Sequence, residues 1–379
     1  MKPKNLNLIY KDYRNERIFE IRDSIYFEDA FIRPYFKNRE SHVGTFYKNK
    51  IMPNYDQPHR FFHTRSHISE ILLLIESLSG QFEEEFLDDL RTVAYFHDII
   101  YDPTTFDNEL NSGQFFIKYI LNHTDFNKID DHPLYDRIMS IYYAILATKN
   151  HESVNDLSYV FNQLDMYAIS HYPFERLLEY EHQIFKEYQF VNYTVYKESR
   201  TKILLEFNKT YQRPEIDFLV EYVNFRKPNI GIYPGSFKPF HLGHMDIKIK
   251  AERIFDKVII ARGINKEKES NKKYETDLEK LFPYNQVDYF EGYLYDYING
   301  MNDHANISLI KGLRNEKDFA YEHAQEQYNQ HLHELRNSKK NMPVNILSIF
   351  GDPKLSHISS SGIRYMEEFE KGSAKGLSF

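Results

Sequence analysis

Residues 233–244 read "YPGSFKPFHLGH". Pro234, Gly235 and Pro239 interrupt regular structure, and His241 and His244 follow three residues apart. A short apolar run precedes the stretch and an apolar-periodic one follows it, so residues 231–263 read as strand, turn, helix and strand. A glycine-rich turn lets backbone amides approach a phosphate, and the helix start behind it adds its positive end. Two imidazoles three apart face the same side of that helix. There they can donate to a triphosphate while charge builds on its bridging oxygens, in a reaction that runs on positioning and needs no covalent intermediate. Taken alone, the same spacing could hold a metal or arise by chance.

Further short β-branched runs follow at 256–263 ("DKVIIARG"), 307–313 ("ISLIKGL") and 344–350 ("VNILSIF"), with helical segments between them. That alternation predicts a parallel α/β sheet. "ISSSGIR" (358–364) supplies hydroxyls at another helix start, and "LIKGLRNEKDFAYE" (309–322) lies between the two. The closing "EKGSAKGLSF" is small and polar, and it is expected to fray.

Upstream the character changes. Segments 66–78, 85–100, 108–123, 135–149 and 173–190 carry apolar residues at helical spacing, so residues 1–227 read as an all-helical domain and 228–379 as the α/β domain. Pro228 ends the last helix. In the helical part, "HRFFHTRSH" (59–67) places His63 and His67 on one helix face. "VAYFHDIIYD" (93–102) sets His97 and Asp98 side by side among apolar residues, which is costly without compensation. Asp165 lies in "QLDMYAIS". Imidazole and carboxylate together suit Mn, Fe, Co, Mg or Zn. Such a metal polarises a phosphate oxygen and yields hydroxide near neutral pH. With 17 histidines in the chain, one HxxxH pair can also be chance.

Composition narrows the classes. The 379 residues exceed one ordinary domain. No cysteine is present, which excludes disulfides, thiolate metal sites and a cysteine nucleophile and fits a cytoplasmic protein. The net charge of −8 argues against nucleic acid as a partner. No apolar run approaches the roughly 20 residues of a membrane span, and no signal peptide is visible.

The helical motifs resemble the HD superfamily of metal-dependent phosphohydrolases, through "PHRFFHTRSHI", "VAYFHDIIYDP", "DNELNS", "ILATKNH", "QLDMYAIS" and "EYQFVNYTVYKESRTKIL" in the family's order. The resemblance implies His67, His97, Asp98 and Asp165 as metal ligands and His63 as a general acid. It also implies Asn108 and Glu109 as supporting groups, with Lys149 and His151 as weaker phosphate contacts. A nucleotide or related phosphate compound is the implied substrate.

The downstream motifs resemble the cytidylyltransferase-like nucleotidyltransferases, with an HxGH-type Rossmann-like sheet, and within them phosphopantetheine adenylyltransferase. That family's pattern is "YPGTFDPxxxGHxD", "RGLRxxxDFxYE" and "ISSS"; this chain has "YPGSFKPFHLGHMD", "KGLRNEKDFAYE" and "ISSSGIR". The resemblance implies AMP transfer from ATP, accompanied by Mg, to a phosphorylated small-molecule acceptor, best matched by 4′-phosphopantetheine. His244, His241 and Lys268 would be catalytic. Tyr233, Gly235, Ser236, Phe237, Lys311, Gly312, Arg314, Glu322, Ser359, Ser360, Ser361 and Arg364 would bind ATP or substrate. It also implies a homo-oligomer. Two positions depart from the pattern: Lys238 replaces its Asp, and Lys311 its first Arg, keeping charge without the planar fork. The turn also resembles nicotinamide-mononucleotide and sugar- or polyol-phosphate nucleotidyltransferases, so those acceptors stay open, as does a nucleotide-sensing role for the helical domain.

Overall fold

The computed structural model describes residues 51–123, 127–264, 274–299, 301, 304–336 and 345–379. The chain divides into two compact units. One holds the residues up to Glu187 together with Tyr211–Ile216, and the other holds Tyr188–Thr210 and Asp217–Phe379. The sequence reading placed a single boundary near residue 227; the contacts instead group Tyr188–Thr210 with the sheet.

The first unit contains helices α1 (Arg65–Glu76), α2 (Glu84–Phe96), α3 (Asn108–His123), α4 (Tyr135–Ala147), α5 (Asp156–Asp165) and α6 (Phe174–Glu187). Each buries an apolar stripe at three- and four-residue spacing. In α1 that stripe includes Ile68, Ile71, Leu72 and Ile75, and in α2 it includes Leu87, Leu90, Val93 and Ala94. Asn155 caps α5 in a reciprocal pair with Ser158, each side chain serving the other's backbone amide. Helix α3 lies close against α4, where Gly113 leaves no room for a side chain: a Cβ there would sit 2.6 Å from Leu146.

In the second unit α7 (Tyr193–Tyr211) and α8 (Pro214–Phe225) lead into the sheet; their ends overlap the Tyr211–Ile216 segment counted with the first unit. The sheet comprises β1 (Asn229–Gly235), β2 (Lys257–Ile264), β3 (Val287–Glu291), β4 (Asn306–Leu313) and β5 (Asn345–Phe350). All pairings are parallel, in the order β3-β2-β1-β4-β5. Helix α9 (Leu242–Glu252) crosses over from β1 to β2, α10 (Glu316–Arg336) follows β4, and α11 (Ser360–Phe369) follows β5. The chain order reverses direction between β1 and β4, and in open parallel sheets ligands bind beyond the strand ends at that point.

Central strands buried on both faces read as continuous apolar runs, and β2 is buried from Lys257 to Arg262. Its first residue is an exception of kind. The Lys257 ammonium is buried and donates to the carbonyl oxygens of Val191 (2.8 Å) and Gln189. Burial lowers its pKa to about 7. Edge strand β3 went unread in the sequence: its acids Asp288 and Glu291 mask a strand that is only half-buried.

No described helix is long and apolar enough to cross a membrane. The expectation that the C-terminal residues fray is corrected. Ala374 is 1% exposed, packed with Ile358 and Ile363, and the backbone of Leu377 and Phe379 is hydrogen-bonded to the turn before α9.

Candidate functional sites

A cavity of about 350 Å³ opens at the chain reversal between β1 and β4. His241 and His244, Gly312 and Arg314, and Ser359 and Ser361 are among the residues lining it. The turn from β1, the end of β4 and the start of α11 therefore converge on it.

His241 caps α9, with its backbone extended at φ −140°. Its N–H donates to Nδ1 of His244 at 3.2 Å, and the two rings stack with centroids 3.6 Å apart. Because Nδ1 of His244 accepts that bond, the neutral ring carries its hydrogen on Nε2. Burial, then the charges of His241 and Arg314, lower the His244 pKa to about 2. Burial and Arg314 lower that of His241 to about 4. Both rings are thus neutral donors near pH 7. Gly243 lies between them, where a Cβ would sit 3.1 Å from His241 Cε1, a tight contact that the ring would have to yield to.

Other predicted positions divide by what their side chains already hold. Lys311 Nζ donates to Glu322 at 2.6 Å, and Arg314 forks onto Asp318 at 2.8 and 3.0 Å. The Ser359 hydroxyl caps α11 by accepting from Gly362 N–H at 3.1 Å. Ser360 donates to the Pro239 carbonyl at 3.0 Å and Arg364 to that of Lys238 at 2.5 Å, so the "ISSSGIR" segment grips the turn itself. Ser361 lines the cavity, and Ser236 is exposed just beyond β1. Phe237 is 1% exposed: its ring is core, packed edge-on against His244 at 5.1 Å, and only its backbone is available to a ligand. Tyr233 is likewise buried but borders the cavity, and Gly235 lies over the Phe237 ring, which a Cβ would approach to 2.6 Å. Lys268 lies outside the described residues. Lys238 stands 3.8 Å from Glu275, which also holds Arg262 at 3.1 Å. The lysine at the pattern's Asp position thus has an acid to answer it.

The cytidylyltransferase-like family matches residues 232–366. A phosphopantetheine adenylyltransferase of Caldanaerobacter subterraneus is 34% identical over 146 residues, covering 37% of this chain and 84% of that protein. Its C-terminal part makes the chain a member of the phosphopantetheine adenylyltransferase family. Further relatives of that name agree: one from Clostridium perfringens is 36% identical over 146 residues (37% of this chain, 82% of the relative). One from Cytophaga hutchinsonii is 34% identical over 149 residues (37% and 91%). The adenylyltransferase part therefore spans most of its relatives' length but little over a third of this chain.

In the first unit, His67, His97 and Asp165 offer ligand atoms all within 4.8 Å of one another. Asp98 Oδ2 is 3.2 Å from His97 Nε2, so all four residues that the HD resemblance implies meet. They come from the start of α1, the residues that end α2 and the last residue of α5. His97 Nδ1 donates to the Ala94 carbonyl at 3.0 Å, which turns its buried Nε2, without a hydrogen bond of its own, toward the two carboxylates. That donor set fits a divalent cation. Burial alone would lower His97, but Asp98 and Asp165 raise it to about 9. Burial likewise opposes charge on Asp165, and hydrogen bonds from His151 and His67 outweigh it, holding its carboxyl well below the usual range.

His63 Nε2 lies 4.0 Å from Asp98, and its Nδ1 donates to Glu187 Oε2 at 2.6 Å. Glu187 is buried at the end of α6. Its Oε1 accepts the backbone N–H groups of Phe61, Phe62 and His63 at 2.7, 2.7 and 3.0 Å, and Oε2 accepts the Tyr101 hydroxyl at 2.6 Å. Glu187 opens "EYQFVNYTVYKESRTKIL", where no local pattern gives it a role, so the sequence alone misses it. Arg60 was missed too: buried, it donates to the carbonyls of His63, Asp98 and Ile99 at 3.1, 2.8 and 3.1 Å. His151 is brought to 3.4 Å from Asp165. Lys149 donates to the Phe106 carbonyl, and the Asn108 amide is spent on the backbone of Asp102. Glu109 is half-buried, and burial, then Asp98, raises its pKa.

Proposed function

We propose that the C-terminal unit transfers AMP from ATP to 4′-phosphopantetheine, releasing pyrophosphate and forming dephospho-CoA. The observation that carries the reading is the His241–His244 pair. A neutral imidazole whose Nδ1 is occupied by a backbone N–H presents a fixed Nε2–H donor at the cavity where the motifs converge. Such a donor opposes charge growing on the α-phosphate oxygens as the acceptor phosphate attacks. The N-terminus of α11 and its serines receive the β- and γ-phosphates, and Mg²⁺ travels with the nucleotide. Lys311 and Arg314 turn from their acid partners toward the nucleotide phosphates. The relatives' names support phosphopantetheine as acceptor. The test is pyrophosphate release from ATP with phosphopantetheine, nicotinamide mononucleotide, and sugar and polyol phosphates in parallel, with His244→Ala as control. Release with one of the other acceptors alone would replace this one.

The metal-competent cluster supports a second activity, hydrolysis of a nucleotide or related phosphate compound by the helical unit. His67, His97, Asp98 and Asp165 would hold the cation, which supplies Lewis-acid polarisation of the phosphate and a water of lowered pKa. His63, fixed by Glu187, would hand a proton to the leaving oxygen. Metal analysis and a phosphatase screen with Asp98→Ala test it; bound metal without turnover would favour a nucleotide sensor.

A further inference from the structure

The chain's last residues reach the signature turn at the two peptide groups that flank His241. Leu242 N–H, the first helical amide of α9 and so without a partner inside the helix, donates to the Leu377 carbonyl at 3.1 Å. Phe379 N–H donates to the Phe240 carbonyl at 3.2 Å, and His241 pairs with Ser378 as an antiparallel bridge. The Thr276 hydroxyl closes the ring: it accepts Phe240 N–H at 2.9 Å and donates to the Phe379 carbonyl at 3.4 Å. The same segment also packs against residues beside the serine helix start. Ala374 is buried against Ile358 and Ile363, which flank the three serines, and Leu377 packs on that cluster together with Leu242 and Leu355.

We propose that Ser373–Phe379 is a positioning segment of the transferase. It reinforces the direct Ser360–Pro239 and Arg364–Lys238 hydrogen bonds between the serine helix start and the histidine turn, and so holds the distance between the groups that bind the two ends of the triphosphate. This rests on the transferase reading above. The catalytic donor is on His244, whose own orientation depends on the His241 N–H, and the residues on either side of His241, Phe240 and Leu242, are hydrogen-bonded to the segment. Displacement of a reacting group by about 1 Å can cost about a hundredfold in rate. Release of the segment should therefore lower kcat while leaving the serines and arginines free to bind ATP.

Leu377→Asp puts a charge into the apolar contact, Leu377→Met preserves it, and Phe379→Pro removes one backbone donor together with a half-exposed ring 6.1 Å from that of Phe240, while leaving the Leu377 contact alone. In the full-length protein, Leu377→Asp is expected to lower kcat for pyrophosphate release at least about tenfold with the KM for ATP changed less than about threefold. Hydrogen exchange across residues 240–247 should quicken, exchange in β2 should not, and Leu377→Met should restore both readouts. Phe379→Pro, the milder release, is expected to move them the same way and decides the case if Leu377→Asp does not fold. Faster exchange at 240–247 with kcat unchanged would overturn the proposal, and so would unchanged exchange in both released variants. A wild-type protein that releases no pyrophosphate with any acceptor refutes the transferase reading instead, and the exchange comparison still decides whether the segment holds the turn.

Discussion

Replacing His244 by alanine tests the transferase reading most directly, and the structure sets the size of the effect. The ring is neutral, so its loss removes one hydrogen-bond donor and no formal charge. One preorganised neutral donor to a developing oxyanion is worth about 2.7–4 kcal/mol, or roughly 10²–10³ in kcat. The ring also fills space against His241 at 3.6 Å, Phe237 at 5.1 Å and Phe240 at 5.2 Å, so alanine leaves a hollow that lets His241 shift. Glutamine separates the two effects, because its amide nitrogen reaches near the place of Nε2 and its bulk fills the hollow. Steady-state pyrophosphate release should fall by about 10²–10³ for His244→Ala, with KM for ATP within about threefold, and glutamine should recover at least about tenfold of the loss. Alanine at more than about a third of the wild-type rate would refute the assignment, since no donor at the transferring phosphate can be worth so little.

Because His241 and His244 stay neutral in the folded protein, their depressed pKa values make the unfolded chain the better proton binder below about pH 6.5. Stability should therefore fall as the pH drops from about 6.5 toward 4, and His244→Gln should flatten that slope in urea titrations. Lys257 has the same sign in another window. Its pKa is lowered to about 7, so folding gains stability as the pH rises from there toward the ordinary lysine value of about 10.4. Lys257→Met should abolish that gain in melting temperature, and an unchanged slope would remove Lys257 as its source. Purified protein should carry one divalent metal per chain, lost in both His97→Ala and Asp165→Ala; equal metal content in those variants would place the ion elsewhere. Glu187→Ala strands three backbone N–H groups and the Tyr101 hydroxyl, at about 3–5 kcal/mol in denaturant unfolding, whereas Glu187→Gln keeps an acceptor for the amides and should cost less than half of that.

What the sequence made legible is what periodicity and short motifs encode. The apolar spacing within 85–100 and 108–123 located α2 and α3 to within a few residues, and the apolar runs of β1, β2 and β4 announced themselves because buried parallel strands are continuous in sequence, while the mostly exposed edge strand β5 was legible from its β-branched and aromatic residues. Strand β3 is an edge strand as β5 is, but of the two it alone carries acids, so its composition resembled a loop. The histidines at 241 and 244 were legible as a pair, but the tautomer of His244 was not, because a backbone N–H decides it. Glu187 reaches His63 across 124 positions, a separation no local pattern reports. The C-terminal residues misled for a related reason. "GSAKGLSF" offers little to bury, and most of what docks it is main chain, which every sequence possesses equally.

The division of the chain also bears on its synthesis. Domains generally fold as units, N-terminal first, while the ribosome is still at work. Here the first unit is incomplete until Ile216 has emerged, yet by then Tyr188–Thr210, the earliest piece of the second, is already outside. That piece must wait for β2 to be translated before the Val191 carbonyl meets the Lys257 ammonium. Neither unit is finished before the other has begun, so a single break in the gene cannot deliver both intact. A break after residue 227 would send Lys257 out without the carbonyls that hold it.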